Sequence, residues 1–330
     1  MIVKVDDMSR NYIVWKRTKG FLGQIKSLLV QEYSIVEAVK NVSFSIEHGE
    51  MVGFIGSNGA GKSTTIKMLT GILSPSSGTV SALGFNPFKQ RKQYVKNIGA
   101  VFGQRTQLWW DLPVLDSFDM LKHIYDIPLE VYRDNLKKFY EILDIGPFVN
   151  KPVRQLSLGQ RVRADIAASL LHNPSIIFFD EPTIGLDITA KDNIRQFIKH
   201  INETRDVTIL FTTHDMRDIE EVCKRIIIID NGKLIYDDSI SKLKNIGGVD
   251  RTLYLKLQLP HNIKEISLDN GIVEILSEDE ISISFNKDET DVTKLVNYIA
   301  GNNKVLDITI EEIGIETIVR KIYSGKFITS

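Results

Sequence analysis

The run "GSNGAGKST", Gly56 to Thr64, constrains this chain more than any other stretch. Only small side chains stand between Gly56 and Lys62, and the run follows directly on the apolar "MVGFI". Glycine tolerates the positive φ angles that a tight concave loop demands, so successive backbone N–H groups converge on one anion. The spacing fits G-x-x-x-x-G-K-[ST] through Gly56, Gly61, Lys62 and Ser63, entered by a strand and left by the helix-patterned "KSTTIKMLTGIL". The positive end of that helix faces the loop. Gly56, Ser57, Asn58, Gly59, Ala60, Gly61, Lys62, Ser63 and Thr64 are therefore expected to hold the phosphates of a nucleotide. Lys62 would reach the β- and γ-phosphates, and Ser63 would ligate Mg²⁺.

A strand, loop and helix of this kind belong to an α/β fold with a mainly parallel sheet, and the chain keeps that rhythm to about Asp238. "MVGFIG", "NIGAVF", "SIIFFD", "VTILFTT" and "RIIIID" are short β-branched or aromatic runs, as strands buried on both faces require. Between about residues 105 and 173 the pattern turns helical, in "DSFDMLKHIYDI" and "DNLKKFYEILDI", which predicts a helical subdomain inserted into the sheet domain. Gly247 and Gly248 mark a hinge. Beyond it, alternating "TLYLKLQL", "IVEIL" and "ISISF" precede a helix at "VTKLVNYIA", a strand at "KVLDITI" and a last helix at "IETIVRKIY". The expected organisation is an α/β domain over 1–240 and a small α+β domain over 241–330, which 330 residues accommodate with a full core.

A phosphate loop needs a carboxylate on a neighbouring strand to help hold Mg²⁺. In "SIIFFDEP" the buried run Ile176 to Phe179 leads to Asp180 and then Glu181, at the strand end where open α/β sheets bind ligands. Asp180 is the expected Mg²⁺ carboxylate, directly or through water, and Glu181 the expected base for an attacking water. Composition narrows the partners: 41 basic against 42 acidic residues leave a formal net charge of −1, which argues against a dedicated nucleic-acid binder. The one cysteine, Cys223, allows no internal disulfide, fits a reducing compartment and is expected as a packed thiol. "MIVKVDDMSR" lacks the apolar core of a secretory signal, and no window approaches the roughly 20 apolar residues of a membrane span. Any membrane role is expected to run through a partner.

Between the two motifs lies "LSLGQ", Leu156 to Gln160, followed by "RVRADIAASLL". In this order the stretches resemble the nucleotide-binding subunit of an ATP-binding cassette (ABC) transporter, over about residues 1 to 240. "GSNGAGKST" resembles the Walker A motif, "IIFFDE" Walker B, and "LSLGQ" the signature LSGGQ with Leu158 in place of a glycine. That replacement bears on the phosphate-facing loop, while Ser157, Gly159 and Gln160 are retained. "TIGLD", ending at Asp187, is similar to the D-loop, and His214 in "TTHD" stands where the family has its switch histidine. Gln104 in "VFGQRTQLWW" matches the Q-loop glutamine. Tyr33 takes the place of the aromatic that stacks on adenine, the alternative being simple packing beside a strand.

The resemblance implies ATP and Mg²⁺ as ligands, with Ser63, Gln104 and Asp180 about the cation. It implies hydrolysis by Glu181, with His214 sensing the γ-phosphate and Gln104 at the same centre. Ser157 and Gly159 are implied to close the nucleotide site across an interface, so that two copies pair head to tail with ATP between them, and Gln160 and Asp187 are implied among the nucleotide-binding residues. The implied partner is an integral membrane permease, with no nucleic acid, and the implied place is the cytoplasmic face of the cell membrane. The run "FGQRTQLWWDLP" is further similar to exporter-type (ABC-2) subunits, where Trp109 and Trp110 are either docking anchors for the permease or core of the helical subdomain. The segment 15–33, "WKRTKGFLGQIKSLLVQEY", has amphipathic helical spacing with basic flanks, suited to anionic headgroups, to the permease or to packing on the sheet. The alternative for the whole chain is a soluble ABC ATPase acting on ribosomes or DNA, against which stand its single cassette and its lack of a long coiled coil.

Overall fold

The computed structural model describes residues 1–15, 33–103, 105–246, 251–259, 272–287, 289–312 and 314–323. The basic insert at 16–32, Gln104 and the pair Gly247–Gly248 lie outside the described residues. The chain divides into two compact units, Met1–Asp237 and Asp238–Ser330.

The first unit runs β1 (Val3–Trp15), β2 (Tyr33–Ile46), β3 (Met51–Gly56), α1 (Lys62–Leu69), β4 (Ser77–Ala82), α2 (Arg91–Tyr94) and β5 (Ile98–Phe102). It continues with α3 (Val114–Ile124), α4 (Leu129–Ile142), α5 (Leu158–Leu170), β6 (Ile176–Asp180), α6 (Ile188–Arg205), β7 (Thr208–Thr212), α7 (Met216–Val222), β8 (Arg225–Asp230) and β9 (Lys233–Ser239). Its larger sheet has the order β5-β6-β7-β3-β8-β9 and is parallel from β5 to β8. The apolar runs read from the sequence are these strands, and β3, β6, β7 and β8 are buried along nearly their whole length. β9 folds back on β8 through Asn231 and Gly232, whose φ values of 48° and 81° suit a two-residue hairpin turn. Because the central strands are parallel, their carboxyl ends share one edge: Phe102 pairs with Asp180, and Asp180 with Thr212.

A second, antiparallel sheet of order β2-β1-β4 accompanies the parallel one. Val5, Met8 and Phe44 from it share a core with Phe54, Phe178 and Leu210 of the larger sheet. Burial of these aliphatic and aromatic faces, at about 25 cal/mol per Å² of apolar surface, joins the layers.

Helices α3, α4 and α5 form the helical insertion. Leu108 fills its core, whereas Trp110 is half exposed, with the Arg161 guanidinium 5.5 Å from its ring centre. Asp165 on α5 is buried, accepts bonds from the Thr106 hydroxyl at 2.8 Å and the Gln107 N–H at 3.0 Å, and so fastens the segment after β5 to α5. Burial pushes its carboxyl up to about 6, against the opposing pull of those two bonds and of Arg161. Ionisation therefore costs the folded state, and the stability this group contributes declines as pH climbs from about 4 through about 6. Asp165→Asn keeps an acceptor and cannot ionise, so it is expected to gain on wild type over that interval, by up to about 3 kcal/mol above about pH 6. Urea unfolding on either side of the interval measures it; a difference that does not change with pH overturns the expectation.

The second unit takes the last two residues of β9 and contains α8 (Ile240–Ile246), β10 (Arg251–Leu257), β11 (Ile272–Ile275), β12 (Glu280–Phe285), α9 (Val292–Asn302), β13 (Val305–Glu312) and α10 (Ile315–Tyr323). Its antiparallel sheet has the order β11-β12-β10-β13. Alternation puts Leu253, Leu255, Ile281, Ile283 and Phe285 on one face, against Leu295 and Ile299 of α9. Among the described residues no helix is long and apolar enough to cross a membrane.

Candidate active site

Strand β3 delivers the chain into the loop at Gly56, and Gly61 turns it into α1 with φ of 109°. A Cβ on Gly56 would stand 2.5 Å from the Ile229 carbonyl oxygen, and one on Gly61 2.5 Å from that of Ala38, so both positions need glycine. Ser57 donates to Asp230 Oδ1 at 2.8 Å, and the Gly232 N–H to the Ala60 carbonyl at 3.1 Å, which tie the loop to the β8–β9 hairpin. Helix α1 has no side-chain cap and no acidic residue in its first turn, so its leading amides face the loop without a competing anion. The Lys62 amine, almost wholly buried, donates to the carbonyls of Gly56 at 2.6 Å and Ser57 at 3.1 Å. Burial pulls its pKa below the usual lysine value, while Glu181 and Asp180 oppose that shift. Ser63 lies at the exposed start of the helix and donates to Asp180 Oδ1 at 3.4 Å.

Asp180 ends β6, and its Oδ1 also accepts from the Thr212 hydroxyl at 2.9 Å. Glu181 has φ of 57°, in the left-handed region that a glutamate seldom enters. Its N–H donates to both the carbonyl and the hydroxyl of Thr212, each at 3.1 Å, which holds the turn. The turn brings Glu181 Oε1 to 2.6 Å from His214 Nε2. Gly103 is needed beside it: a Cβ there would stand 2.0 Å from the Glu181 carbonyl oxygen. A cavity of about 370 Å³ opens here, lined by Ser63, Lys67, Gly103, Arg105, Asp180 and Glu181 among others. A hydroxyl and a carboxylate presenting oxygen at one point suit a hard cation such as Mg²⁺.

Ser157 caps α5: its hydroxyl accepts from the Gln160 N–H at 3.2 Å, while the Gln160 side chain accepts from the Ser157 N–H at 3.0 Å. Gln160 thus braces the turn, and among the described residues the Ser157 hydroxyl donates to no acceptor. Leu158 opens the helix, and its Cδ2 lies 2.9 Å from where a Cβ on Gly185 would stand. The leucine is therefore turned onto the "TIGLD" loop, which receives it because Gly185 has no side chain. Asp187 caps α6 by accepting from the Ala190 N–H at 2.8 Å.

The structure brings the phosphate loop, Asp180, Glu181 and His214 to one place. Tyr33 does not join them. It pairs with Trp15 at the far end of the β1–β2 ribbon, the ring centres 5.6 Å apart. Ala38, which touches the phosphate loop at Gly61, is five residues further on, about 17 Å along an extended strand. Tyr12 stands opposite Val36, which is only two residues, about 7 Å, along the strand from Ala38. Sequence order alone favours the later tyrosine, since it stands nearer the loop along the chain; the strand register reverses that. Gly103, Thr212 and Asp230 also escape the sequence analysis, and of these only Thr212 had a signal, its place in "TTHD".

A family model described as "ABC transporter" matches residues 39–184. The ABC transporter ATP-binding protein NatA of Bacillus subtilis (strain 168) is 34% identical over 209 residues, 63% of this chain and 85% of that protein. The bacitracin transport ATP-binding protein BcrA of Bacillus licheniformis is 30% identical over 241 residues, 73% of this chain and 76% of that protein. Among solved structures, the ATP-binding cassette MJ0796, dimeric in a post-hydrolysis state with ADP and Pi, is 28% identical with a TM-score of 0.59. That match covers 72% of this chain and 98% of the other.

Proposed function

Since this chain belongs to the ABC transporter family as an ATP-binding subunit, we propose that it drives an exporter by hydrolysing ATP between two head-to-tail copies on a separate membrane permease. The observation that carries the catalytic part is the 2.6 Å approach of His214 Nε2 to Glu181 Oε1, beside a loop whose lysine is already ringed by oxygen acceptors. Glu181 takes the proton of the attacking water, and His214 holds the carboxylate in place. Lys62 exchanges its bonds to the Gly56 and Ser57 carbonyls for bonds to phosphate oxygens. Ser63 and Asp180 would hold Mg²⁺, which supplies neutralisation of phosphate charge; Gln104, the remaining ligand expected for it, lies outside the described residues.

Ser157 and Gly159 of one copy close the site of the other, the Ser157 hydroxyl donating to no acceptor among the described residues of its own chain. Tyr12 rather than Tyr33 is the aromatic assigned to the base, on the strand distances above. A direction of export is favoured by relatives whose names concern bacitracin transport and linearmycin resistance. Half-exposed Trp110 remains available to the permease. Work on the cytoplasmic face follows from such a partner.

The test is affinity purification of the tagged chain after gentle detergent extraction, with mass spectrometry of what accompanies it. A stoichiometric polytopic membrane protein is expected. Recovery with ribosomes or DNA, and no membrane protein, overturns the transporter assignment and keeps the ATPase.

A further inference from the structure

Glu181 and His214 sit on different connections, one between β6 and α6 and the other between β7 and α7. A 2.6 Å contact between side chains on separate loops needs something that fixes both loops together. Asp218 on α7 does so. It is fully buried, and its Oδ2 accepts from the Thr183 hydroxyl at 2.7 Å and the Thr213 hydroxyl at 3.1 Å. Thr183 lies two residues beyond Glu181, and Thr213 immediately precedes His214. Both threonines are buried. The Thr213 hydroxyl also accepts from the Asp215 N–H at 3.0 Å, so its proton and one lone pair are both committed.

The other oxygen of Asp218 accepts from Arg195 Nη1 at 2.6 Å. Arg195 is itself buried on α6 and is paired further with Asp192 and with Glu221, the latter at 2.9 Å. A second link follows the same path, Lys191 of α6 donating to Asp215 Oδ2 at 2.8 Å. Burial would raise the Asp215 carboxyl, but Lys191, the Arg217 N–H and Arg195 outweigh it and hold it below the usual range. A buried carboxylate with every oxygen engaged, and with its counter-charge beside it, resists displacement.

We propose that Asp218 is a positioning residue for hydrolysis: by bonding Thr183 and Thr213 at once it sets the alignment of Glu181 with His214. The inference rests on the catalytic assignment of that pair. Loss of either threonine bond lets one loop drift, and a misplacement of about 1 Å at a reacting group costs on the order of a hundredfold in rate. Nucleotide binding is served by other parts, the phosphate loop and α1, so the effect falls on turnover.

Steady-state ATP hydrolysis by the full chain tests this, with Thr213→Val, Thr213→Ser, Asp218→Ala and Glu181→Gln measured in parallel. Thr213→Val keeps the shape and removes the hydroxyl; it is expected to lower kcat by about tenfold to a hundredfold, with KM for ATP within about twofold. Thr213→Ser keeps the hydroxyl and is expected to restore most of the rate. Asp218→Ala removes the oxygen that both threonines share and is expected to behave as Thr213→Val does, and should it fail to fold, the Val and Ser pair decides. Wild-type turnover in Thr213→Val, or equal loss in Val and Ser, overturns the proposal. Glu181→Gln separates the two levels: if it hydrolyses normally, the catalytic assignment itself falls, whereas an inactive Glu181→Gln beside a normal Thr213→Val sinks the positioning role alone.

Discussion

Glu181→Gln is expected to lower ATP hydrolysis by at least about a hundredfold while leaving ATP binding intact. Gln has the size of Glu and still accepts a bond from His214 at the present 2.6 Å contact, but its amide cannot take a proton from water. The backbone is held by Thr212 at both its carbonyl and its hydroxyl, so the left-handed turn at φ of 57° survives the exchange. Removing a base without removing the binding contacts separates the two functions. Mixed with ATP, the variant should accumulate as a nucleotide-bound dimer that wild type forms only transiently. Phosphate release and light scattering in the presence of ATP read the two effects, and unchanged phosphate release would falsify the role given to Glu181.

Lys62→Met is the second large effect, and it acts on binding. Methionine keeps much of the length of the side chain but loses the charge and the donors now satisfied by Gly56 and Ser57. Two loop carbonyls lose a partner, and the phosphates lose a cation. A hydrogen bond to a charged group contributes about 1.5–3 kcal/mol, so ATP affinity should fall by about tenfold to more than a hundredfold, and turnover with it. The fold should survive, since the core around β3 rests on Phe54, Phe178 and Leu210 rather than on the amine. Calorimetric titration with ATP gives the affinity; binding within about threefold of wild type would remove Lys62 from its assigned role.

Much of the site is legible before any coordinates. The phosphate loop is readable because its residues are consecutive and their types report local requirements: Gly61 for φ of 109°, Lys62 at the first helical position, an apolar strand before them. Asp180 and Glu181 are readable for the same reason, ending a buried run. In the second unit the alternation of "TLYLKLQL" and "ISISF" already separates the buried face from the exposed one. Leu158 is different. As a letter in a glycine-rich motif it looks disruptive, yet the structure turns it onto Gly185, a neighbour on another loop that sequence order does not reveal.

The sequence by itself determined the strand-loop-helix at Gly56 to Thr64, the parallel character of the central sheet, the helical insertion and the acidic pair at the end of β6. Each depends on backbone preference or hydrophobic period, which neighbouring residues carry among themselves. Only the tertiary structure decided that Tyr12 lies closer than Tyr33 to the phosphate loop, that Gly103 makes room for Glu181, and that Asp218 joins the loops that carry Glu181 and His214. Those facts turn on strand register and on side chains meeting from segments far apart in the chain, and for the two tyrosines a shift of one residue in register would send each side chain to the other face of the ribbon.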